Sequence, residues 1–588
     1  MPLVVGLTWP FDHDNSVAAV LDGSLVFAWE EERQTRHKHA VGEPPFNSLV
    51  GLFRHIAKLG LRPTDIDAFA VNWKPQLFPI IYRNSLYFST LSRTKRFMST
   101  GERVGALGRW LFGASYLDLS RSVIRRAYAS VGASMPSRLR INPVEHHLSH
   151  ASSAYYFCGA DSAAAVTVDG SGEKDSTVIW KVKGGEFEKL LALGTPDSSL
   201  GLLYESLGTR VGYDSLEGPG KVMGLAPYGG ASPVYSRLRE MVKVSDDGQG
   251  DAPYSISTRA GVSLKSWPGL YYAAAERLAQ RVSWNPRGDV AKAAADLAWA
   301  TQRITEEAVL ATAKWARTNS GSDHLLLAGG VALNAKANME VYYSNLFSDI
   351  FVFPASNDAG GAIGAAAYVY EHEVGGKMET RRLTNVYLGP EYSEEEVATA
   401  IRDSKWSAEK VGDDAGAVAE MVAAGKVVTI YQGRSELGPR ALGDRSIVAD
   451  PTDKDTWGKV NKIKGREWWR PLAPSLTDAE RYFVRGRPHE FMVMMYRFIE
   501  GAGERVPAVK HVDGTARIQT TSTADNPFWA DLIKSFGEIK GEPLVVNTSF
   551  NLAGEPLVET PQDALRSFTK GGFDALYICG RLITKPSI

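Results

Sequence analysis

Two histidines and two aspartates in this sequence have the residue types and the surroundings of metal ligands. His146 and His150, in the run EHHLSH, are four residues apart, so on a helix both imidazoles lie on one face. Asp169 ends the apolar run SAAAVTV, and Asp358 precedes a glycine pair in SNDAGGAIGAA. A carboxylate beside a glycine at a strand end can face a ligand without obstruction. Two imidazoles and two carboxylates would suit a divalent ion such as iron, manganese or zinc.

The helix that presents the two histidines is predicted from its flanking residues. Asn142 and Pro143 suit a helix start, and the small and apolar residues of ASSAYYF can continue the helix. His147 adjoins His146 and is a second candidate for its ligand position. Satisfied core or surface histidines are the structural alternative for a helix of this kind.

Further chemistry is predicted near the amino terminus. His13 lies in the polar run DHDNS, and its unperturbed pKa near 6.5 allows it to take a proton from a hydroxyl at neutral pH. Lys38 follows in the dense charge run EEERQTRHKH, where it is a candidate contact for a phosphate or a substrate. A solvated loop histidine and a solvated charge run are the structural alternatives.

The bulk composition excludes several classes of protein. The 66 basic and 67 acidic residues nearly cancel, which provides no general attraction for nucleic acid or an anionic membrane. Cys158 and Cys579 are the only cysteines, so we expect no disulfide framework and a reducing compartment. The amino terminus has no basic region before its short apolar run, and no apolar stretch approaches the ~20 residues that cross a bilayer. We therefore expect a soluble, cytoplasmic protein of several compact units, without membrane contact.

A strand-and-hairpin pattern that occurs twice in the sequence indicates a duplicated domain. The first copy has a strand at residues 4–9 and a hairpin that turns on Asp22 and Gly23. The second copy begins with a strand at residue 162 and has a hairpin that turns on Gly184 and Gly185. This pattern is typical of the actin, Hsp70 and sugar-kinase folds, in which two related lobes hold a nucleotide.

Glycine-rich loops provide candidate nucleotide contacts in the same half of the chain. A helix to about Val211 is followed by a predicted loop in which Lys221 is framed by glycines and can reach a phosphate. A long amphipathic helix capped by Asp289 leads to a strand at 324–330 and the motif GGVALN. There, backbone amides and a helix amino terminus can hold a nucleotide.

A locally basic and aromatic segment spans residues 80–126. Basic residues interleaved with aromatic ones can bind RNA. The outer faces of helices in an insertion, or a wall of the acceptor site, are the other interpretations.

A second unit is predicted after a charged, glycine-containing linker at residues 373–382. A buried strand at 425–433 precedes a segment rich in arginine, whose planar fork matches phosphate oxygens in pairs. These arginines predict an oxyanion pocket, and surface arginines are the alternative. The candidate residues of this unit are Arg434, Arg440, Arg445, Lys464, Arg466, Arg470 and Asn547.

The motifs taken together resemble the O-carbamoyltransferase family, which includes nodulation carbamoyltransferases and enzymes that carbamoylate antibiotic hydroxyls. The resemblance rests on HDNS, HHLSHASSAYY, VDGSGE, EGPGKVMGLAPYG, GGVALN and NDAGGAIGAA, and it extends over essentially the whole chain. It implies an α/β fold with two domains. Residues 1–375 would form a duplicated actin/Hsp70-like domain, similar to the universal tRNA threonylcarbamoyl transferase (Kae1-like), and residues 376–588 an α+β YrdC-like domain.

The resemblance also implies a reaction and a role for each candidate residue. Carbamoyl phosphate and ATP would form a carbamoyl-adenylate in the YrdC-like domain, and the carbamoyl group would pass to a hydroxyl in the first domain. His13 falls on the family's catalytic histidine, and His146, His150, Asp169 and Asp358 fall on its metal ligands. Fe²⁺ is the expected ion, with Mg²⁺, Mn²⁺ and Zn²⁺ as alternatives. The expected substrate and cofactor contacts are Lys38, Lys221, Gly329, Gly330, Asn334, Arg434, Arg440, Arg445, Lys464, Arg466, Arg470 and Asn547.

The predicted partner is a small-molecule alcohol, such as a secondary metabolite or a sugar-bearing compound. No nucleic acid is expected, and a homodimer is compatible with the prediction. Two other functions stay open on the sequence. One is a tRNA-modifying (threonyl)carbamoyl transferase that would use the basic 80–126 segment, and the other is a non-catalytic or chaperone-like ATPase of the actin class.

Overall fold

The computed structural model describes residues 1–9, 13–78, 117–245, 247–258 and 267–585. The chain divides into two compact units, and both combine helices with β-sheets, which confirms the predicted mixed α/β class. The first unit consists of Met1–Pro219, Ala231–Val282 and Ala300–Leu383. The second consists of Gly220–Gly230, Ser283–Trp299 and Thr384–Ile588.

Two five-stranded sheets of the first unit share one topology. The first sheet has the order β3-β2-β1-β4-β5, and the second has the order β8-β7-β6-β11-β12. In each sheet the first three strands in chain order pair antiparallel, and the remaining two extend the sheet in parallel beside the first. A separate pair joins β9 and β10. The strands are β1 Leu3–Leu7, β2 Ser16–Leu21, β3 Ser24–Glu30, β4 Ala68–Val71, β5 Arg140–Pro143, β6 Ser162–Val168, β7 Asp175–Lys183, β8 Glu186–Gly194, β9 Val242–Val244, β10 Tyr254–Ile256, β11 His324–Ala328 and β12 Asp349–Val352.

Both predicted hairpins are confirmed. Asp22 and Gly23 have φ values of 50° and 83° between β2 and β3, and Gly184 and Gly185 have φ values of 58° and 86° between β7 and β8. Two successive residues with positive φ form the tight turn whose twist matches that of the flanking strands.

The helices of the first unit cover and connect these sheets. Apolar residues of α2 and α3 pack with those of β1, β2 and β3 in one buried core, which explains the amphipathic pattern of α2. The helices are α1 Glu32–Thr35, α2 Phe46–Lys58, α3 Leu117–Ser130, α4 His146–Tyr155, α5 Thr195–Ser198, α6 Leu200–Val211, α7 Gly218–Leu225, α8 Pro233–Met241, α9 Trp267–Leu278, α10 Lys292–Ser320, α11 Ala335–Tyr343 and α12 Gly361–His372. Of these, most of α7 and the first eight residues of α10 group with the second unit.

Three local predictions need correction. Asn142 and Pro143 belong to β5 and pair in parallel with β4, so the helix of the two histidines starts later, at His146. Lys221 lies in the helix α7 and not in a loop. The predicted linker is bonded to the first unit, because the N–H of Glu379 donates to the carbonyl oxygen of Gly23 and the guanidinium of Arg382 pairs with Asp349.

The second unit is built on an eight-stranded sheet of order β13-β22-β21-β14-β15-β20-β16-β19, with β17 and β18 as a separate antiparallel pair. Helices α14 and α17 pack against this sheet through residues such as Val418, Trp529 and Leu532. The strands are β13 Glu409–Lys410, β14 Val428–Tyr431, β15 Arg445–Ala449, β16 Ala473–Leu476, β17 Met495–Arg497, β18 Thr515–Arg517, β19 Gln519–Thr520, β20 Leu544–Ser549, β21 Ala575–Ile578 and β22 Arg581–Thr584. The helices are α13 Glu394–Ser404, α14 Asp414–Ala423, α15 Asp455–Ile463, α16 Ala502–Arg505, α17 Pro527–Lys540 and α18 Pro561–Lys570.

The basic 80–126 segment lies mostly outside the described residues, since only its part from Leu117 onward is described, as the start of α3. Cys158 and Cys579 are both free thiols. Among the described helices, none combines the length and the apolar character that a membrane crossing needs.

Candidate active site

The two histidines and two aspartates converge to one cluster in the first unit. His146 Nε2 lies 3.2 Å from His150 Nε2, which in turn lies 3.0 Å from Asp169 Oδ2. Asp358 Oδ1 lies 3.6 Å from each of the two Nε2 atoms. One potential ligand atom from each residue falls within 4.8 Å of the other three. Side chains that the sequence separates by more than two hundred positions are therefore arranged around one point.

The donor atoms of this cluster fit a bound divalent cation. Both histidines are buried, and the two carboxylates lie close to each other as well as to the imidazoles. Two carboxylates this close repel each other, and a cation bound by two imidazoles and two carboxylates would offset that repulsion. His146, His150, Asp169 and Asp358 are the residues that would hold it.

His147 is turned away from the cluster. Its Nδ1 lies 2.9 Å from the hydroxyl of Thr167, and its Nε2 lies 2.9 Å from the carbonyl oxygen of Asp175. Burial lowers its pKa to about 3, so this imidazole stays neutral and links α4 to the second sheet. The sequence left both His146 and His147 as candidates. In the structure it is His146 that faces the other three residues of the cluster.

The charges within the cluster reinforce one another. Burial opposes a charge on His150, but hydrogen bonds to Asp169 and Asp358 raise its pKa to about 9. Burial also opposes ionisation of Asp169, yet His146 and His150 hold the pKa of this carboxyl well below its usual value. A raised pKa favours a proton on His150, so a metal ion and a proton would compete for this imidazole.

Glu173 fixes the start of the helix that carries both histidines, a role that the sequence analysis missed. The N–H of His146 donates to both carboxylate oxygens of Glu173 at 3.0 and 3.2 Å, and the N–H of Lys74 donates to Oε1 at 2.7 Å. An acidic side chain at a helix amino terminus satisfies an unpaired N–H and suits the helix dipole. Trp73 stacks on the imidazole of His146, with 4.0 Å between ring centres. The motif VDGSGE, which contains Glu173, was the available signal.

Asp358 is positioned by backbone contacts to the first sheet. It begins a 3₁₀ turn, Asp358–Gly360, that precedes α12. The hydroxyl of Thr8 donates to the carbonyl oxygen of Asp358, and the hydroxyl of Ser16 donates to that of Ala359, both at 2.7 Å. Thr8 follows β1 and Ser16 begins β2, so the loop that contains His13 is bounded by two residues that hold the Asp358 turn.

Helices α12 and α4 approach each other at backbone distance, because α12 carries small residues. A Cβ atom at Gly364 would overlap the carbonyl oxygen of Ser149 in α4. On the opposite side, a Cβ atom at Gly6 in β1 would overlap the carbonyl oxygen of Ala362 in α12. The glycines of GAIGAAA therefore allow the close packing that brings Asp358 to the two histidines.

His13, the predicted catalytic residue, is accessible in the loop between β1 and β2. Its side chain is 37% exposed, and its Nδ1 lies 3.1 Å from Asp14 Oδ2. Exposure of this degree allows a substrate hydroxyl to approach the ring. Lys38 forms an ion pair with Glu217 at 2.7 Å, which neutralises its charge in this structure.

Gly329, Gly330 and Asn334 lie at the end of β11 beside the metal cluster. Gly329 has a φ of 86°, and a Cβ atom there would overlap the carbonyl oxygen of Val168. A Cβ atom at Gly330 would lie 3.1 Å from Asp169 Oδ1. Asn334 caps α11 through its side-chain oxygen, which accepts from the N–H of Ala337 at 3.1 Å. The two glycines therefore leave room beside Asp169, whereas the side chain of Asn334 bonds to Ala337 and Gln302.

In the second unit, Arg440, Arg466 and Arg470 form a cluster with an arginine that the sequence analysis missed, Arg517. Burial and the charge of Arg470 lower the pKa of Arg440 to about 10 and that of Arg466 to about 9. The pKa of Arg517 is lowered further by burial and by its three neighbours. Buried N–H groups of Arg440, Arg466 and Arg517 have no hydrogen-bond acceptor among the described residues. Arg470 is also paired with Glu467 at 3.6 Å. Cations that repel one another and have unpaired donors would suit a multiply charged anion.

Arg434, Arg445 and Lys464 instead direct donors to the protein's own oxygens. Arg434 donates to the backbone oxygens of residues 388 and 389, and Arg445 donates to those of residues 432, 433 and 444. Lys464 donates to the carbonyl oxygens of Ser549 and Asn551. These three predicted ligand contacts therefore shape loops in this structure.

Asn547 and Lys221 support the arginine-rich region in different ways. The side-chain amide of Asn547, on the buried strand β20, donates to the carbonyl oxygen of Ala441, next to Arg440. Lys221 Nζ lies 4.0 Å from Glu467 Oε1 in the segment of Arg466 and Arg470. The sequence had indicated that Lys221 belongs with the glycine loops of the first unit. In the structure it groups with the second unit.

Comparisons with known proteins match two family models to successive parts of the chain. The family model of the carbamoyltransferase N-terminus matches residues 3–367, and that of the carbamoyltransferase C-terminus matches residues 419–585. The nodulation protein NolNO of Sinorhizobium fredii is 33% identical over 98% of this chain and 79% of its own length. An uncharacterized protein of Synechocystis is 32% identical over 100% of this chain and 97% of its own length.

Among solved structures, full-length HypF in a phosphate- and nucleotide-bound form has a TM-score of 0.35 at 10% identity. This similarity covers 64% of this chain and 56% of the HypF chain, and it supports no functional comparison. The family models, with the relatives at about one-third identity, define the class: the chain belongs to the carbamoyltransferase family. The resemblance predicted from the sequence motifs is confirmed.

Proposed function

We propose that this protein is an ATP-dependent O-carbamoyltransferase that modifies a hydroxyl of a small-molecule natural product. The observation that carries the proposal is the cluster of Arg440, Arg466, Arg470 and Arg517 in the unit matched by the C-terminal family model. Such a concentration of guanidinium groups, three of them with an unpaired buried N–H, favours phosphate-rich ligands, as carbamoyl phosphate and ATP are.

The first half-reaction belongs to the second unit. Carbamoyl phosphate reacts with water to release phosphate and carbamate, and a carbamate oxygen then attacks the α-phosphorus of ATP, which displaces pyrophosphate. The product is a carbamoyl-adenylate. The four arginines bind the anionic reactants and screen the charge of the departing pyrophosphate. Lys221, Arg434, Arg445, Lys464 and Asn547 shape this site through the contacts described above.

The second half-reaction belongs to the first unit. His13 takes the proton of an acceptor hydroxyl as the oxygen bonds to the carbamoyl carbon, and the bond from that carbon to the phosphate oxygen breaks with release of AMP. His146, His150, Asp169 and Asp358 would hold a divalent cation, for which Fe²⁺ is our first choice and Mg²⁺, Mn²⁺ or Zn²⁺ the alternatives. When bound, this ion supplies Lewis-acid polarisation of the carbamoyl or phosphate oxygen. Lys38, Gly329, Gly330 and Asn334 are the remaining contacts assigned to the adenylate.

The domain types follow from the same proposal. The repeated strand order of the two five-stranded sheets supports a duplicated actin-like (Kae1-like) domain for the amino-terminal part, with a YrdC-like domain after it. We place the protein in the cytoplasm, without nucleic-acid or membrane partners, and a homodimer is compatible with this function.

The proposal is tested without knowledge of the acceptor. Purified protein is incubated with ATP and carbamoyl phosphate, and pyrophosphate release is followed against a sample without carbamoyl phosphate. We expect release that requires carbamoyl phosphate. Labelled carbamoyl phosphate then allows a panel of sugars and other alcohols to be screened for carbamate esters, which should form at the expense of the adenylate.

Two results would point to the alternatives. Hydrolysis of ATP to ADP at a rate independent of carbamoyl phosphate would contradict the proposal and favour an ATPase of the actin class. Transfer of label to tRNA, with loss of binding at moderate salt, would contradict the small-molecule acceptor and favour a tRNA-modifying enzyme.

A further inference from the structure

Asp14 joins two histidine side chains in the loop region at the amino terminus. Its Oδ2 lies 3.1 Å from His13 Nδ1, and its Oδ1 lies 2.8 Å from His39 Nδ1. The two imidazoles are twenty-six positions apart in the sequence and share this one carboxylate. Asp14 is 12% exposed and His39 is 25% exposed, so both are better shielded than His13, which is 37% exposed.

The backbone holds this arrangement in place. The N–H of Asp14 donates to the carbonyl oxygen of His39 at 2.7 Å, and the N–H of His39 donates to Glu32 Oε2, also at 2.7 Å. Asp14 and His39 have φ values of 54° and 62°, a region that residues other than glycine adopt at a cost of about 1 kcal/mol or more. Side-chain contacts that keep two such residues in this conformation constrain the ring of His13 as well.

The charge state of Asp14 determines which nitrogen of His13 carries a hydrogen. Burial opposes ionisation of Asp14, but hydrogen bonds to His13 and His39 hold its pKa well below the usual value. An ionised carboxylate only accepts hydrogen bonds, so the Nδ1 atoms of both rings must donate to it. In a neutral His13 this leaves the lone pair on Nε2. Burial also opposes a charge on His39, yet the hydrogen bond to Asp14 raises the pKa of His39.

We propose that Asp14 and His39 are positioning residues for His13: Asp14 holds the Nδ1–H tautomer and ring orientation, and His39 holds Asp14. The proposal rests on the proposed function of His13 as the base. The Nε2 atom then takes the acceptor's proton while the new C–O bond forms, and Asp14 stabilises the imidazolium until the proton passes to solvent. Asp14 itself stays ionised throughout.

Other charged groups act on this trio. Glu32 contacts His39 and interacts with its charge, Glu30 interacts with Asp14, and Glu205 interacts with His13. Glu32 and Glu205 favour a protonated imidazole, as Asp14 does, whereas the charges of His13 and His39 oppose each other. Removal of Asp14 alone should therefore lower the pKa of His13, and the imidazole should still titrate.

The test follows the imidazole nitrogens of His13 by NMR in protein labelled with ¹⁵N-histidine. The chain has eleven histidines, and the His13→Gln variant identifies the signals of His13. We expect the Nδ1–H tautomer in the wild type, and in Asp14→Asn a mixture of tautomers and a pKa of His13 lower by about 1 unit, the usual effect of losing one adjacent opposite charge. The His39→Gln variant removes both a hydrogen bond to Asp14 and a like charge near His13, so it should also populate both tautomers of His13 but change its pKa less than Asp14→Asn does.

His37→Gln is the matched control. His37 Nδ1 also lies 2.7 Å from a carboxylate, that of Glu43, but the side chain is 73% exposed, and neither residue contacts Asp14. This variant should leave the His13 signals unchanged. If Asp14→Asn does not fold, the tautomer of His13 in His39→Gln decides the question.

Unchanged tautomer and pKa of His13 in the folded Asp14→Asn variant would overturn the positioning role. The proposed function has a separate readout, the carbamoyl transfer activity. Asp14→Asn should lower kcat for transfer about 100-fold or more with KM and pyrophosphate release little changed. If His13→Gln retained transfer, the assignment of His13 as the base would fail, and the catalytic role of the two positioning residues would fail with it, whatever the NMR result.

Discussion

At Arg517 in the second unit, we expect ligand binding and the stability of the free protein to have opposite requirements. It lies on β18, and the charges that act on it come from Arg440, Arg466 and Arg470. In the protein without ligand these four guanidinium groups repel one another, and part of their hydrogen-bonding capacity is unused. A site of this kind lowers the stability of the free protein, and a bound anion raises that stability again.

The Arg517→Met variant should therefore be more stable than the wild type and inactive in adenylate formation. Loss of one partly buried cation should raise the free energy of unfolding by about 1 kcal/mol or more, because the repulsion and the unpaired donors disappear. Thermal unfolding without ligands measures the first effect, and pyrophosphate release measures the second. Inorganic phosphate should raise the melting temperature of the wild type more than that of the variant.

Arg497→Met is the matched control for this experiment. Arg497 lies on β17, directly opposite Thr515 of the same two-stranded sheet, with an exposed side chain. This variant should retain pyrophosphate release and its response to phosphate. If Arg517→Met destabilised the protein and kept its activity, the interpretation of the arginine cluster as an anion site would be wrong.

The metal cluster leads to a second prediction at the scale of single residues. His150→Ala removes one of two imidazole nitrogens, and loss of a direct ligand should weaken metal binding by more than the ~10–100-fold typical of residues that only support a ligand. Metal content after dialysis, measured by elemental analysis, should fall from about one ion per chain to a small fraction. His37→Ala, at an exposed histidine, should keep the wild-type content; equal metal in both variants would contradict the assignment.

At the scale of elements, the site depends on the contact between α4 and α12. Gly364→Val places a branched side chain where the carbonyl oxygen of Ser149 now lies, so the two helices must separate. We expect a loss of about 1–3 kcal/mol in the free energy of unfolding, or more, because overpacking against backbone cannot relax by rotation of a side chain. Metal affinity should fall as well, since Asp358 moves with α12 and the histidines move with α4.

Gly458→Ala provides the comparison. Gly458 lies inside α15, and a Cβ atom there would meet no atom within 4 Å. The substitution should be neutral or stabilise the protein by roughly 0.5–1 kcal/mol, because alanine is the better helix former. Denaturant unfolding of both variants measures the difference, and a Gly364 variant as stable and as metal-rich as the wild type would refute the role of this contact.

Local patterns explain which elements could be predicted from the sequence. The spacing of His146 and His150 predicts a shared helix face, and two adjacent turn residues predict each hairpin, because these features depend on neighbouring residues. The start of α4 was predicted too early, since pairing with β4 draws Asn142 into a parallel strand. Lys221 was predicted in a loop because of its flanking glycines, but residues around it complete a helical turn.

Tertiary structure determines the rest of the candidate site. An arginine in a motif can face a ligand or its own backbone, and only the path of the surrounding loops separates Arg440 from Arg445. Arg517 lies outside the 434–470 segment and has no local signal of its own. Glu173 was visible in a motif, but its role as a helix cap depends on how the loop after β6 reaches the start of α4.

In the whole molecule, we expect each unit to carry out one half-reaction. The metal cluster, His13 and the two related sheets belong to the first unit, and the arginine cluster and the eight-stranded sheet belong to the second. The N-terminal carbamoyltransferase family model matches residues 3–367, which include the first unit's metal cluster, and the C-terminal model matches residues 419–585, which include the four arginines. Substitutions in one unit should therefore impair one half-reaction and leave the other measurable.

The most direct test of this division is carbamoyl phosphate-dependent pyrophosphate release, measured side by side for His13→Ala and Arg440→Ala. We predict release close to the wild-type rate for His13→Ala, although it forms no carbamate ester, and a loss of about 100-fold or more for Arg440→Ala. Loss of release in both variants, or its retention in Arg440→Ala, would contradict the assignment of the two half-reactions to separate units.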